Sequence, residues 1–154
     1  MSAEQEGLER AVAFRSEHDL GAAQPLTDLV ALIEEKQQID VTVIDAGADE
    51  HGMTAYDPAR SLVAMAVART PHVMRQRSSL AHELAHVLFA DYRDGQDART
   101  WAGRDSAEIR ADAFARHLLF PAAAARRIAE TRTSVSEADL SALVQMFVVS
   151  PAIV

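Results

Sequence analysis

At 154 residues, 49% hydrophobic and 25% charged, the chain has the composition of a globular protein with room for one core, and a single domain is expected. Its formal net charge of −8 offers no cationic footprint for a phosphate backbone, so no direct nucleic-acid binding is expected. It has no cysteine, which excludes disulfides and thiolate metal sites, and MSAEQEGLER lacks a secretion signal's apolar core. No apolar run approaches the roughly 20 residues that span a bilayer, so a cytoplasmic chain with no membrane partner is expected.

Leu8, Ala11, Val12 and Phe14 follow helical spacing and predict a first helix from about Gly7 to Leu20, with Gly21 as its stop. After Pro25, Thr27 is placed to cap a second helix whose Leu29, Leu32 and Ile33 form an apolar stripe. The period then changes. VTVID (Val41 to Asp45), GMTAYD (Gly52 to Asp57) and SLVAMAV (Ser61 to Val67) are short, rich in valine or alternating, and separated by AGADEH and DPAR; they predict a small antiparallel meander.

Beyond Pro71 the pattern is helical again. Leu80, Leu84, Val87 and Leu88 share one side of a helix, which should pack on the core. The polar run DYRDGQDARTWAGRD reads as a loop. A helix from about Ser106 to Leu119 must end near Pro121, which disfavours helical geometry in the residue before it. AAAARRIAE predicts another helix, and Ser134 with Glu137 offers a capping box for a last one ending near Phe147. The overall expectation is an α+β fold.

The chemistry concentrates in SSLAHELAHVLFAD, Ser78 to Asp91. His82 and His86, four apart, lie on one helical face about one turn from each other, so both imidazoles can reach one point. Zinc suits neutral imidazole, and a catalytic zinc keeps three protein ligands and one open position. Glu83 points about 100° around the helix from His82 and can reach a water at that open position, which suits a general base. A third ligand is offered by Glu108, with Asp112 four residues on and able to reach a ligating histidine's free N–H. Glu108 could instead complete a capping box with Asp105. His18, His51, His72 and His117 are isolated and receive no role, and Met65, Met74 and Trp101 read as core or cleft wall. Tyr56, Tyr92 or an arginine could stabilise an oxyanion, but spacing selects none of them.

In SSLAHELAH and in E-x-x-A-D-x-F-A-x-x-L-L-x-P, Glu108 to Pro121, the chain resembles the ImmA/IrrE family of zinc metallopeptidases. The order of helices, short sheet, histidine helix and glutamate helix agrees over most of the chain. The resemblance implies a zincin-like domain with an edge strand bordering the cleft, where an extended substrate could add as a strand. It implies Zn2+ held by His82, His86 and Glu108, Glu83 as catalytic base, and Asp112 as partner to a ligating histidine. It also implies an endopeptidase whose protein substrate is a helix-turn-helix transcriptional repressor, controlling a stress response or a mobile element. The competing expectation is a silent zinc protein that grips a repressor without cleaving it, but such a site has no use for Glu83. Ala85 stands where the family usually has glycine. The family pattern commonly continues past FVVSPAIV, so a short or C-terminally truncated member is expected, and any DNA contact would come from a separate partner.

Overall fold

The computed structural model describes residues 1–47, 52–91, 106–131 and 134–154. The expected loop after Asp91, most of the turn AGADEH, the cap residue Asp105, and His51, Tyr92 and Trp101 lie outside the described residues.

Helix α1 spans Ala3–Glu17 and starts earlier than the apolar spacing suggests, because Ser2 caps it: its hydroxyl accepts the Gln5 N–H at 3.2 Å. It ends before Gly21, with Asp19 in the left-handed region at φ 56°. Helix α2 spans Leu29–Gln37, and its cap is Asp28 in place of the expected Thr27, the carboxylate accepting from Ala31 N at 3.0 Å. Strands β1 (Asp40–Ile44), β2 (Gly52–Asp57) and β3 (Leu62–Ala68) fall within a residue or so of the expected segments.

Their pairing corrects the expected antiparallel meander. The sheet is mixed, in the order β1-β3-β2, with β2 and β3 antiparallel and β1 parallel to β3. Burial supplies the physical reason. LVAMAVA is apolar along its whole length and buries Met65, Val67 and Ala68, so it takes the central position, where both edges and a face are covered. β2 alternates, with Gly52, Thr54 and Tyr56 turned inward and Met53 and Ala55 exposed, as suits an edge strand.

Helix α3 (Val73–Leu88) crosses behind β2 and β3 and packs on α4 (Ser106–Leu119), while α1 lies along the other side of α4. The approach of α1 to α4 is close: a Cβ at Gly7 would stand 2.8 Å from Phe114 N and would also run into the Arg110 carbonyl oxygen. Helices α5 (Ala122–Thr131) and α6 (Glu137–Phe147) follow. The last helix does have a capping box, shifted from the expected Ser134 and Glu137 to Ser136 and Asp139. Phe14, Ile33, Leu84, Phe114, Leu118 and Val149 are fully buried and join α1, α2, α3, α4 and the chain after α6 in one core. Two arginines bind this shell together. Arg15 donates to Gly21 O and Gln24 O, and Arg77 donates to Thr27 O and Leu26 O before α2 and to Val148 O after α6.

Candidate metal centre

Helix α3 buries Leu80, Ala81, Leu84 and Ala85, which turns the opposite side, with His82 and Glu83, toward a cleft of about 520 Å³ between α3, α4 and β2, and sets His86 one turn beyond His82. The side chain of Ala85 is fully buried, so the methyl group that replaces a hydrogen there fills core space and favours the helix.

Across the cleft, α4 presents Glu108 on its first turn. His82 Nε2 and His86 Nε2 are 3.0 Å apart, Glu108 Oε2 is 3.3 Å from His82 Nε2, and Glu108 Oε1 is 3.4 Å from His86 Nε2. Among the described residues these three form the group whose donor atoms could hold a metal ion. Tetrahedral zinc with bonds of about 2.0–2.2 Å separates its ligand atoms by about 3.3–3.6 Å, so the donor spacing fits that ion nearly as it stands.

The far sides of the two imidazoles strengthen the fit. His82 Nδ1 lies 2.9 Å from Asp112 Oδ1, and His86 Nδ1 lies 3.0 Å from Asp91 Oδ2. A carboxylate beside each Nδ1 keeps a proton there, which leaves the two Nε2 lone pairs facing each other. Two lone pairs at 3.0 Å repel unless a cation or a proton stands between them. In the metal-free chain the proton fills that role: burial opposes a charged His86, but hydrogen bonds to Glu108 and Asp91 outweigh it and raise its pKa to about 9. The two histidines beside it hold the Glu108 carboxyl well below the usual carboxylate range against the effect of burial. Glu108 is therefore an anion ready to ligate.

The i+4 reading of Glu108 and Asp112 anticipates the contact to His82, but it misses Asp91. On a continuing helix a residue five beyond His86 would point about 140° away. Here α3 stops: Phe89 is its C-cap and Ala90 is left-handed at φ 59°, which folds the Asp91 carboxylate back onto His86. Arg110 of α4 binds the other Asp91 oxygen, lies over the Phe89 ring with its guanidinium 4.7 Å from the centroid, and approaches Glu6 of α1 at 3.7 Å. Helical periodicity gives no signal for Asp91, because its reach depends on the left-handed Ala90.

Glu83 is not in the donor group. It lines the same cleft, and its Oε2 accepts a hydrogen bond of 2.9 Å from the Thr54 hydroxyl on β2. His18 packs against Phe14 and Gln37, His72 is the exposed N-cap of α3, and His117 is half-buried on α4, where burial lowers its pKa. None of these three joins the cluster.

The model of the IrrE N-terminal-like domain, Peptidase_M78, matches residues 34–154. Among solved structures, a Mycobacterium tuberculosis transcriptional regulator is similar in fold, with a TM-score of 0.63 over 97% of this chain at 22% identity. The chain spans 44% of that structure's length. No curated protein matches it.

Proposed function

The chain belongs to the IrrE N-terminal-like family of zinc metallopeptidase-like proteins, and on that premise we propose that it is a zinc-dependent endopeptidase. The observation that carries the proposal is the convergence of His82, His86 and Glu108 on one point, with a carboxylate, Glu83, beside the donor set yet outside it. A purely structural site has no use for that carboxylate and is usually closed by a fourth protein ligand.

His82, His86 and Glu108 would hold the ion. Zinc bound there supplies Lewis-acid polarisation of the scissile carbonyl and of the attacking water. Asp112 and Asp91 keep each histidine in the tautomer whose Nε2 faces the ion. Glu83 accepts the proton of the attacking water and passes it to the leaving amine. β2 is the edge of the sheet on the cleft side, so an extended segment of substrate can pair with its backbone and present a peptide bond to the cleft.

The substrate proposed is a helix-turn-helix transcriptional repressor, cleaved to release a stress response or a mobile element, with the reaction taking place in the cytoplasm. The test is co-expression with a candidate helix-turn-helix repressor, for native protein and Glu83→Gln, reading the repressor's intact mass. General-base removal commonly slows a reaction about 10²- to 10⁴-fold, so repressor fragments should appear with the native protein and not with Glu83→Gln. A repressor bound equally by both versions and cut by neither would instead establish a silent binder.

A further inference from the structure

We propose that Thr54 and Gly52 are positioning residues for the Glu83 carboxylate, Thr54 by holding it and Gly52 by leaving the space it occupies. The inference rests on the reading of Glu83 as general base and names the device that aims it.

Residues two apart on a strand face the same side, and on β2 that side is the inner one, against α3. Thr54 Oγ1 donates to Glu83 Oε2 at 2.9 Å, while the Glu83 carbonyl, at 3.4 Å, is at the edge of hydrogen-bonding range. The hydroxyl has one proton, and the shorter contact to a charged acceptor takes it. Two residues earlier, a Cβ at Gly52 would stand 2.9 Å from Glu83 Cγ and 3.3 Å from Glu83 Oε1. The missing side chain is therefore filled by the glutamate itself. One carboxylate oxygen is fixed by a hydrogen bond and the stem is confined by a glycine, which together select one rotamer of a side chain that otherwise has several.

Neither residue is required by the sheet. A valine at position 54 keeps the shape and β preference of threonine, and at Gly52 a Cβ would meet Glu83 Cγ first, at 2.9 Å, with the Ala66 carbonyl oxygen at 3.3 Å as a milder backbone contact. Both substitutions should therefore leave the fold intact and act chiefly on Glu83. Misplacing a reacting group by about 1 Å can cost about 100-fold in rate. The expected result for Thr54→Val and for Gly52→Ala is native zinc content, an unchanged KM and a kcat lower by about 10- to 100-fold, with Thr54→Ser recovering most of it because it keeps the hydroxyl.

The experiment has two arms. In the first, native, Thr54→Val, Thr54→Ser, Gly52→Ala and Glu83→Gln are compared at equal zinc content on fluorescein-labelled casein. Glu83→Gln cleaving as fast as native overturns the general-base reading, whereas an inactive Glu83→Gln beside a fully active Thr54→Val overturns only the positioning role. In the second, crystal structures of the zinc-loaded native protein and Thr54→Val are compared, which decides the question even where casein is not cut. One Glu83 rotamer in the native protein and a displaced or multiple one in Thr54→Val support the inference. The same single position in both contradicts it.

Discussion

Asp112 and Asp91 make the same contact to the two histidines from different elements, and they differ in how visible they are in the sequence. Asp112 is legible because it shares a helical face with Glu108; Asp91 is not, since its reach depends on Ala90 adopting φ 59°, and a periodicity argument carries no information about where a helix breaks. Loss of a carboxylate that orients a metal-ligating histidine costs about 10- to 100-fold in metal affinity. Asp112→Ala and Asp91→Ala should each weaken zinc binding by about that factor in a competitive chelator titration, and unchanged affinity would show that the carboxylate does not orient its histidine for the metal. The proton on His86 gives a second prediction. A folded-state pKa of about 9 against 6.5 for the free side chain stabilises the metal-free fold below pH 6.5, and that contribution is lost as pH rises toward 9. Zinc requires the neutral imidazole, so the same proton opposes binding over the same window. The difference in Tm between zinc-loaded and metal-free protein should widen from pH 6.5 to 9. A constant difference would show that His86 is not where proton and metal compete.

At the scale of elements, the helices are legible, as are the bounds of α4 and the end of α6 at Phe147, whereas the caps that start α1, α2 and α6 are not. Apolar spacing finds α1 through Leu8, Ala11 and Phe14, but Gly7 was read as its beginning, whereas it lies inside the helix at the crossing with α4. A glycine in mid-helix is tolerated here because α4 leaves no room for a methyl group. Gly7→Ala improves local helix propensity and yet should destabilise the protein by about 1–3 kcal/mol through overpacking against backbone atoms that cannot move aside. A Tm that rises instead would mean the helices separate freely. Strand partners were the other blind spot. The alternation of VTVI and GMTAYD and the unbroken apolar run of LVAMAVA indicate which strand is central, but consecutive strands invite a meander, and nothing local distinguishes β1 beside β2 from β1 parallel to β3. That choice is set by α2 packing on β1 and α3 packing on β3 and β2, a tertiary effect.

At the scale of the whole molecule, the cleft-facing and core-facing sides of α3 are two halves of one arrangement. The residue that ties α3 to the rest is Arg77, buried to 8% exposure and donating to carbonyls from both ends of the chain, Leu26 and Thr27 on one side and Val148 on the other. Burial lowers its pKa, partly offset by Asp28. Arg77→Ala leaves buried carbonyls without donors and should cost about 2–4 kcal/mol, or roughly 5–15 °C in Tm for a chain of this size; a shift within scatter would show that water replaces it at no cost. No sequence signal marks this arginine, because its partners are backbone groups 50 and more residues away. The grouping of the candidate site, by contrast, is legible, because residues at helical spacing share a face: His82, Glu83, Glu108 and Asp112 line one cleft, and His86 stands beside His82. The measurement that tests this account most directly is a zinc titration of metal-free native protein, His86→Ala, Glu108→Gln and Glu83→Gln. About one zinc per chain is expected for native protein and Glu83→Gln, with binding strongly weakened in the other two. Absence of zinc binding in the native protein, or a loss in Glu83→Gln equal to that in His86→Ala, would contradict it.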